Sequence, residues 1–241
     1  DAGKEMHGRS RCFKRSTDCG CEYGGKLVPG KVDHQRMEVF ELLTIGITGG
    51  IGSGKSTAVK ILEEYGARII FADEVAKEVM EPSMPAYKRI VEHFGTGILD
   101  DDGRIDSKKL GEIVFCNKQE LQILNEISHG IVADRIKDIL SGFRSEQAKL
   151  AVVEAIVPVE RGFLDAVDTV WVVIASEPVR VRRIMKRNNF SRDEALMRIR
   201  AQLPDEEYKS IAHEIIINDG TIDELRTKIR GLLAYEQYSP S

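Results

Sequence analysis

Cysteine is nearly missing from the body of this chain. It has 4 cysteines, of which Cys12, Cys19 and Cys21 fall within the first 36 residues and only Cys116 lies beyond them. A disulfide-held scaffold is therefore excluded for the main part of the chain, and nothing requires an oxidising compartment. Apolar runs approaching the roughly 20 residues of a membrane helix are also lacking. So is the basic, apolar and small-residue series of a secretory signal. Positive charge is not in excess: the formal net charge is -4, which argues against a dedicated nucleic-acid binder. What remains is ordinary, with 241 residues that are 42% hydrophobic and 31% charged, enough to bury a core without covalent staples. The expectation is a cytoplasmic protein, a monomer or weak homo-oligomer, with no membrane or nucleic-acid partner.

Residues 1–36 read differently. They are rich in Gly, Lys and Arg, and their C-x6-C-x-C spacing, with His7 or His34 nearby, lacks the paired C-x2-C of common zinc modules. They hold too little apolar surface to offset chain entropy. The segment is expected to be a disordered leader or non-native extension, with Met37 as the true start and one domain over 37–241.

Beyond it, strand and helix signals alternate. Runs at 42–47, 67–71, 150–156, 169–175 and 214–217 have the length and apolar content of buried strands. Helical patterns fall at 55–65, 73–80 and 86–94, from an Asp106 cap to 115, in a long stretch capped by Asn117, and at 160–167. Ser191 with Glu194 and Thr221 with Glu224 open two more as capping boxes. Continuous apolar strands separated by helices imply a three-layer α/β fold with a parallel sheet covered on both faces.

The stretch TIGITGGIGSGKST, residues 44–57, carries the chemistry. Gly49-x4-Gly54-Lys55-Ser56 fits G-x-x-x-x-G-K-[ST], with a strand before it and a helix after it. Glycines let main-chain N–H groups wrap phosphates, and the helix adds its positive end. Gly49, Gly50, Gly52, Ser53, Gly54, Lys55, Ser56 and Thr57 are the expected ATP-binding set. Lys55 would neutralise the β/γ oxygens and Ser56 would ligate Mg2+.

A guanine-nucleotide switch is disfavoured. Asn117-Lys118-Gln119-Glu120 resembles N-K-x-D, but Glu120 is one methylene too long. Only thirteen residues separate Gly103 from Asn117, about the length of a single crossover. A kinase for a small acceptor accounts for more. Asp73 ends the second strand at a helix start, where it could orient or deprotonate an acceptor hydroxyl, or serve as a plain N-cap. Seven arginines crowd residues 180–200. Among them Arg183 and Arg187 share a helix face, and Arg187, at the helix end, is the better candidate for an arginine brought over the transferring phosphate.

TGGIGSGKST, FADEVAKEVMEP, FGTGILDDDGRIDSKKLGEIVF, LNEISHGIV and RAQLPDEE…IAHEIIINDGTIDEL together resemble the dephospho-coenzyme A kinase family. The resemblance implies a P-loop kinase core, with a helical acceptor-binding region at about 80–142 and a lid at about 187–209. It implies transfer of the ATP γ-phosphate to the ribose 3′-hydroxyl of dephospho-CoA. It implies roles for Lys55, Ser56 and the loop glycines at phosphate, for Asp73 near the acceptor, and for His129, Arg183, Arg187 and Gln202. It also places Asn218 on the loop near the adenine. The chain departs from the family pattern at Phe71-Ala72-Asp73, His129-Gly130, 156–160 and Asp106-Ser107, all on the acceptor side. His129 also reads as a packed histidine on an apolar helix. A related kinase with another acceptor, and an ATP-binding regulator without catalysis, are the alternatives.

Overall fold

The computed structural model describes residues 42–155 and 166–236, all of them within the compact unit Val39–Ser241. The leader, most of the helix expected at 160–167, and the departure at 156–160 lie outside the described residues. Five strands form one sheet: β1 (Leu43–Thr48), β2 (Arg68–Phe71), β3 (Leu150–Glu154), β4 (Thr169–Ile174) and β5 (Glu214–Ile217). Their spatial order is β2-β3-β1-β4-β5, and every pairing is parallel. All the carboxyl ends therefore meet along one edge, where open sheets of this kind bind ligands.

Alternation along the strands sorts side chains to two faces. Ile45, Ile47, Leu150, Val152, Trp171 and Val173 join one core with α1 (Lys55–Glu64) and α9 (Ile222–Tyr235). Their odd-man-out neighbours Ala151 and Val153 join another, beneath α2 (Ala72–Glu78), α3 (Pro85–Phe94), α4 (Ser107–Cys116) and α5 (Lys118–Ser145). Val170 and Val172 pack with Tyr208 of α8 (Asp205–Ser210). Strands buried on both sides need apolar residues at every position, which is why their sequences show continuous runs. Trp171 is fully buried in the centre; truncating it to alanine would cost about 3–5 kcal/mol.

The helix starts follow local chemistry. The Asp106 carboxylate accepts from the Lys108 and Lys109 N–H groups, and Asn117 accepts from Gln119 N–H. Asn117 is thus a cap, as the argument against a guanine-nucleotide switch requires. Both expected capping boxes are present, at α7 (Arg192–Arg200) and at α9. The helix before α7, α6 (Glu177–Asn188), stops where Asn189 turns left-handed at φ 55. One expectation needs correction: Asp73 is no N-cap. Phe71 holds that position with an extended backbone and no side-chain bond, and α2 starts at Ala72. Asp73 instead lies in the first turn, where its charge suits the positive helix end.

Candidate active site

The chain leaves β1 at Thr48 and enters a glycine turn whose backbone would strain other residues. Gly49 has φ 148 and Gly54 has φ 98. A Cβ on Gly49 would strike the Val173 carbonyl of β4, and one on Gly54 would strike the Asn218 amide. Glycine is required at both for shape and for space. Gly54 is also the N-cap of α1 and offers no side-chain bond. Thr57 N–H donates to Gly54 O, and the N–H groups of Lys55 and Ser56 ahead of it are placed to meet an anion.

Side chains from distant elements hold the turn in place. Arg180 Nε of α6 donates to Ile51 O at 2.9 Å. One turn further on, Arg183 NH1 donates to Gly52 O at 3.3 Å and to Ser53 O at 3.0 Å. Asn218 Nδ2, buried after β5, donates to Ser53 O at 2.8 Å. Gln202 Oε1, beyond α7, accepts from Ile51 N at 2.5 Å. Three successive loop carbonyls are thereby drawn onto cationic or amide donors of the protein. A phosphate approaching the loop meets N–H groups and positive charge rather than carbonyl oxygens.

Lys55 opens α1 and is buried. Its Nζ pairs with Glu154 Oε1 at 3.2 Å, the two side chains being 9% and 13% exposed, and donates to Ala155 O at 3.2 Å. Strand parity explains the partner. Glu154 shares a face with Leu150 and Val152, the face that α1 covers, so its carboxylate leaves β3 towards the base of the loop. Removing either charge alone would strand the other, at about 3–5 kcal/mol for a well-buried pair.

These parts surround a cavity of about 550 Å³. Lys55, Ser56, Thr57, Glu154, Arg183, Arg187 and Asn218 line it, with the loop glycines on one side and Ile222 and Leu225 as an apolar wall. Arg187 is exposed at its rim and its Nε donates to Asn188 Oδ1 at 2.9 Å. Among the expected site residues, three do not line the cavity. Ser53 is buried behind the turn, its N–H donating to Gly50 O. Asp73 is exposed on the same edge of the sheet, after β2. His129 sits half-buried on α5, away from the lining. Beside the turn, burial raises the Tyr208 phenol above its ordinary range even though Arg180 acts to lower it.

Two residues were missed by reading the sequence. Glu154 falls inside an apolar run, yet a carboxylate ending a buried strand is itself a signal, since lone buried charges are rare. Arg180 was one of seven arginines, and nothing in the spacing separated it from solvated neighbours.

A glycine turn leading from β1 into α1 on a 2-3-1-4-5 parallel sheet, with a buried lysine–carboxylate pair and an arginine-bearing helix over it, defines a P-loop kinase. Comparison with known proteins is more specific. The dephospho-CoA kinase family model matches residues 43–224. A dephospho-CoA kinase of Carboxydothermus hydrogenoformans is 43% identical over 189 residues, covering 78% of this chain and 92% of that protein. One from Geobacter sulfurreducens is 42% identical over 190 residues, covering 79% and 96%. The solved structure of a dephospho-CoA kinase from Campylobacter jejuni superposes with a TM-score of 0.59 at 25% identity, covering 80% and 96%. The chain belongs to the dephospho-CoA kinase family.

Proposed function

We propose that this protein transfers the γ-phosphate of ATP to the ribose 3′-hydroxyl of dephospho-coenzyme A, giving ADP and coenzyme A. The convergence of the glycine turn, the Lys55–Glu154 pair and the α6 arginines on one cavity carries the reading. Turn N–H groups and Lys55 hold the β and γ oxygens, Lys55 exchanging part of its bond to Glu154 for phosphate. Thr57 lines the same mouth. Arg183, on the cavity wall, fixes the turn by its carbonyls, and Arg187 reaches over the transferring group to spread its charge. Asn218 keeps the turn in register, while Ile222 and Leu225 offer an apolar seat for the purine.

The residues present suit a hard divalent cation. The Ser56 hydroxyl and the Glu154 carboxylate both line the cavity, and Mg2+ prefers one or two carboxylates plus phosphate oxygens and water. Among the described residues no three His, Cys, Asp or Glu side chains converge as a cage. Ser56 and Glu154 would therefore hold a cation that arrives with the nucleotide and neutralises phosphate charge.

Asp73 follows β2, which is separated from β1 only by β3. Two strand spacings, about 10 Å, leave room for an alcohol between Asp73 and the loop. Asp73 accepts a hydrogen bond from that hydroxyl and orients it. As the new O–P bond forms, the hydroxyl proton passes to the Asp73 carboxylate and the β–γ bridge breaks towards ADP. The α2–α5 region supplies acceptor binding, and α7 with its flanks forms the lid. Cytoplasmic coenzyme A synthesis is the setting this reading implies.

The direct test is ADP release with ATP and Mg2+, with and without dephospho-CoA. Stimulation by dephospho-CoA alone is expected. Stimulation only by another nucleotide or nucleoside would redirect the acceptor, and ATP binding without turnover would reduce the protein to a nucleotide-binding regulator.

A further inference from the structure

Arg180 is 5% exposed, yet it belongs to no wall of the cavity. Its guanidinium joins two pieces of chain. Nε donates to Ile51 O in the glycine turn at 2.9 Å, while NH1 pairs with Asp205 Oδ1, in the first turn of α8, at 2.9 Å. The remaining nitrogen, NH2, is buried without a hydrogen-bond partner among the described residues. A Cβ on Gly50 would lie 2.5 Å from it. Leaving a buried charged donor unpaired is costly, so the two bonds that are made dictate where this side chain sits.

Ile51 is gripped at both its backbone polar groups by the same stretch of chain. Arg180 takes its carbonyl and Gln202, between α7 and α8, takes its N–H. Ile51 also packs its side chain into the small α6–α7 core around Ile184 and Ala195. From these contacts we infer that Arg180 is a positioning residue that ties the shape of the phosphate turn to the placement of the α7–α8 segment, through Asp205. When α8 is docked, Arg180 holds the Ile51 carbonyl away from the phosphate side. When α8 shifts, Arg180 loses its anchor and the turn loses its hold. The lid therefore acts on nucleotide affinity from behind the turn, without Arg180 touching the nucleotide. This rests on the reading of the turn as the ATP site.

The test is ATP titration by calorimetry, with and without Mg2+, on the wild type, Arg180→Ala, Arg180→Lys, Asp205→Ala and the Arg180→Ala/Asp205→Ala double variant, with steady-state kinetics alongside. Losing a charged hydrogen bond to the turn should weaken ATP binding by about tenfold or more in Arg180→Ala. Arg180→Lys, unable to reach both partners as a planar fork does, should restore little of it. Asp205→Ala, remote from the cavity, should weaken ATP in the same direction, and the double variant should be no worse than Arg180→Ala. The KM for dephospho-CoA should stay near the wild-type value. Wild-type ATP affinity in folded Arg180→Ala or in Asp205→Ala would overturn the inference, as would full additivity of the two. Should Arg180→Ala fail to fold, Asp205→Ala and Arg180→Lys decide alone. A wild type that binds no ATP would instead remove the kinase reading on which the inference stands.

Discussion

The two sides of the sheet edge are built differently. On the β1–β4–β5 side, the glycine turn is fixed by buried or half-buried partners from three separate places: Arg180 and Arg183 of α6, Gln202 beyond α7 and Asn218 after β5. On the β2 side, where the acceptor is proposed to bind, the polar side chains are exposed. Asp73 stands in solvent, Arg135 pairs with Glu78 at about 40% exposure, and His93 meets Glu120 at the surface. Exposed pairs of that kind contribute little to stability. Phe115 on α4 is 86% exposed, although it belongs to a strongly apolar region. The contrast teaches that the half proposed to hold the nucleotide is preorganised, whereas in the half proposed to take the acceptor these polar groups stand exposed, where a ligand can rearrange them.

That contrast can be broken most decisively at Lys55. Replacing it with alanine should lower turnover by several orders of magnitude, because its charge acts on the phosphates themselves. Circular dichroism should show a folded variant that melts earlier, since Glu154 is left unpaired, and near-normal turnover in that folded variant would contradict the assignment. Asp73→Asn probes the other half. It should lower kcat by roughly 100-fold or more while leaving ATP affinity nearly unchanged, as expected when a positioned acid–base group is lost. Equal loss of both in titration and steady-state kinetics would place Asp73 on the nucleotide side. The smallest effect is expected in acid. Backbone bonds from Lys108 and then Lys109 hold the Asp106 carboxyl below its ordinary range, and a bond from Ser191 does the same for Glu194. Both groups have lowered pKa values in the fold, so their contribution is complete above the ordinary carboxylate range and disappears as pH falls through the folded values. Hydrogen exchange followed as pH falls below the ordinary carboxylate range should show the first turns of α4 and α7 fraying before the glycine turn does.

Much of this was legible in the sequence, and the reasons differ by residue. The glycine turn could be read because its conformation is local: Gly49 and Gly54 need positive φ, and Lys55-Ser56 must follow at the helix start. The caps at Asp106, Asn117, Ser191 and Thr221 were readable for the same reason. The parallel sheet followed from uninterrupted apolar runs. What escaped was non-local. Glu154 meets Lys55 across 99 positions of chain, and Arg180 meets Ile51 across 129. No periodicity reports such pairings. Ser53, a member of the expected ATP-binding set, is buried behind the turn, an orientation the motif alone does not report.

The alternation along β3 has a consequence for how this site can vary. Leu150 and Val152 lock one side of the strand, and Ala151 and Val153 lock the other. The carboxylate at the strand's tip is thus indexed by four apolar plugs well below it. A single-residue insertion or deletion within β3 would put Glu154 out of phase with the plugs before it, so that seating those plugs carries Glu154 to the opposite side of the sheet from Lys55. Substitutions of equal length keep this register, and the spacing from Leu150 to Glu154 works as a ruler whose last mark is the charge opposite the lysine.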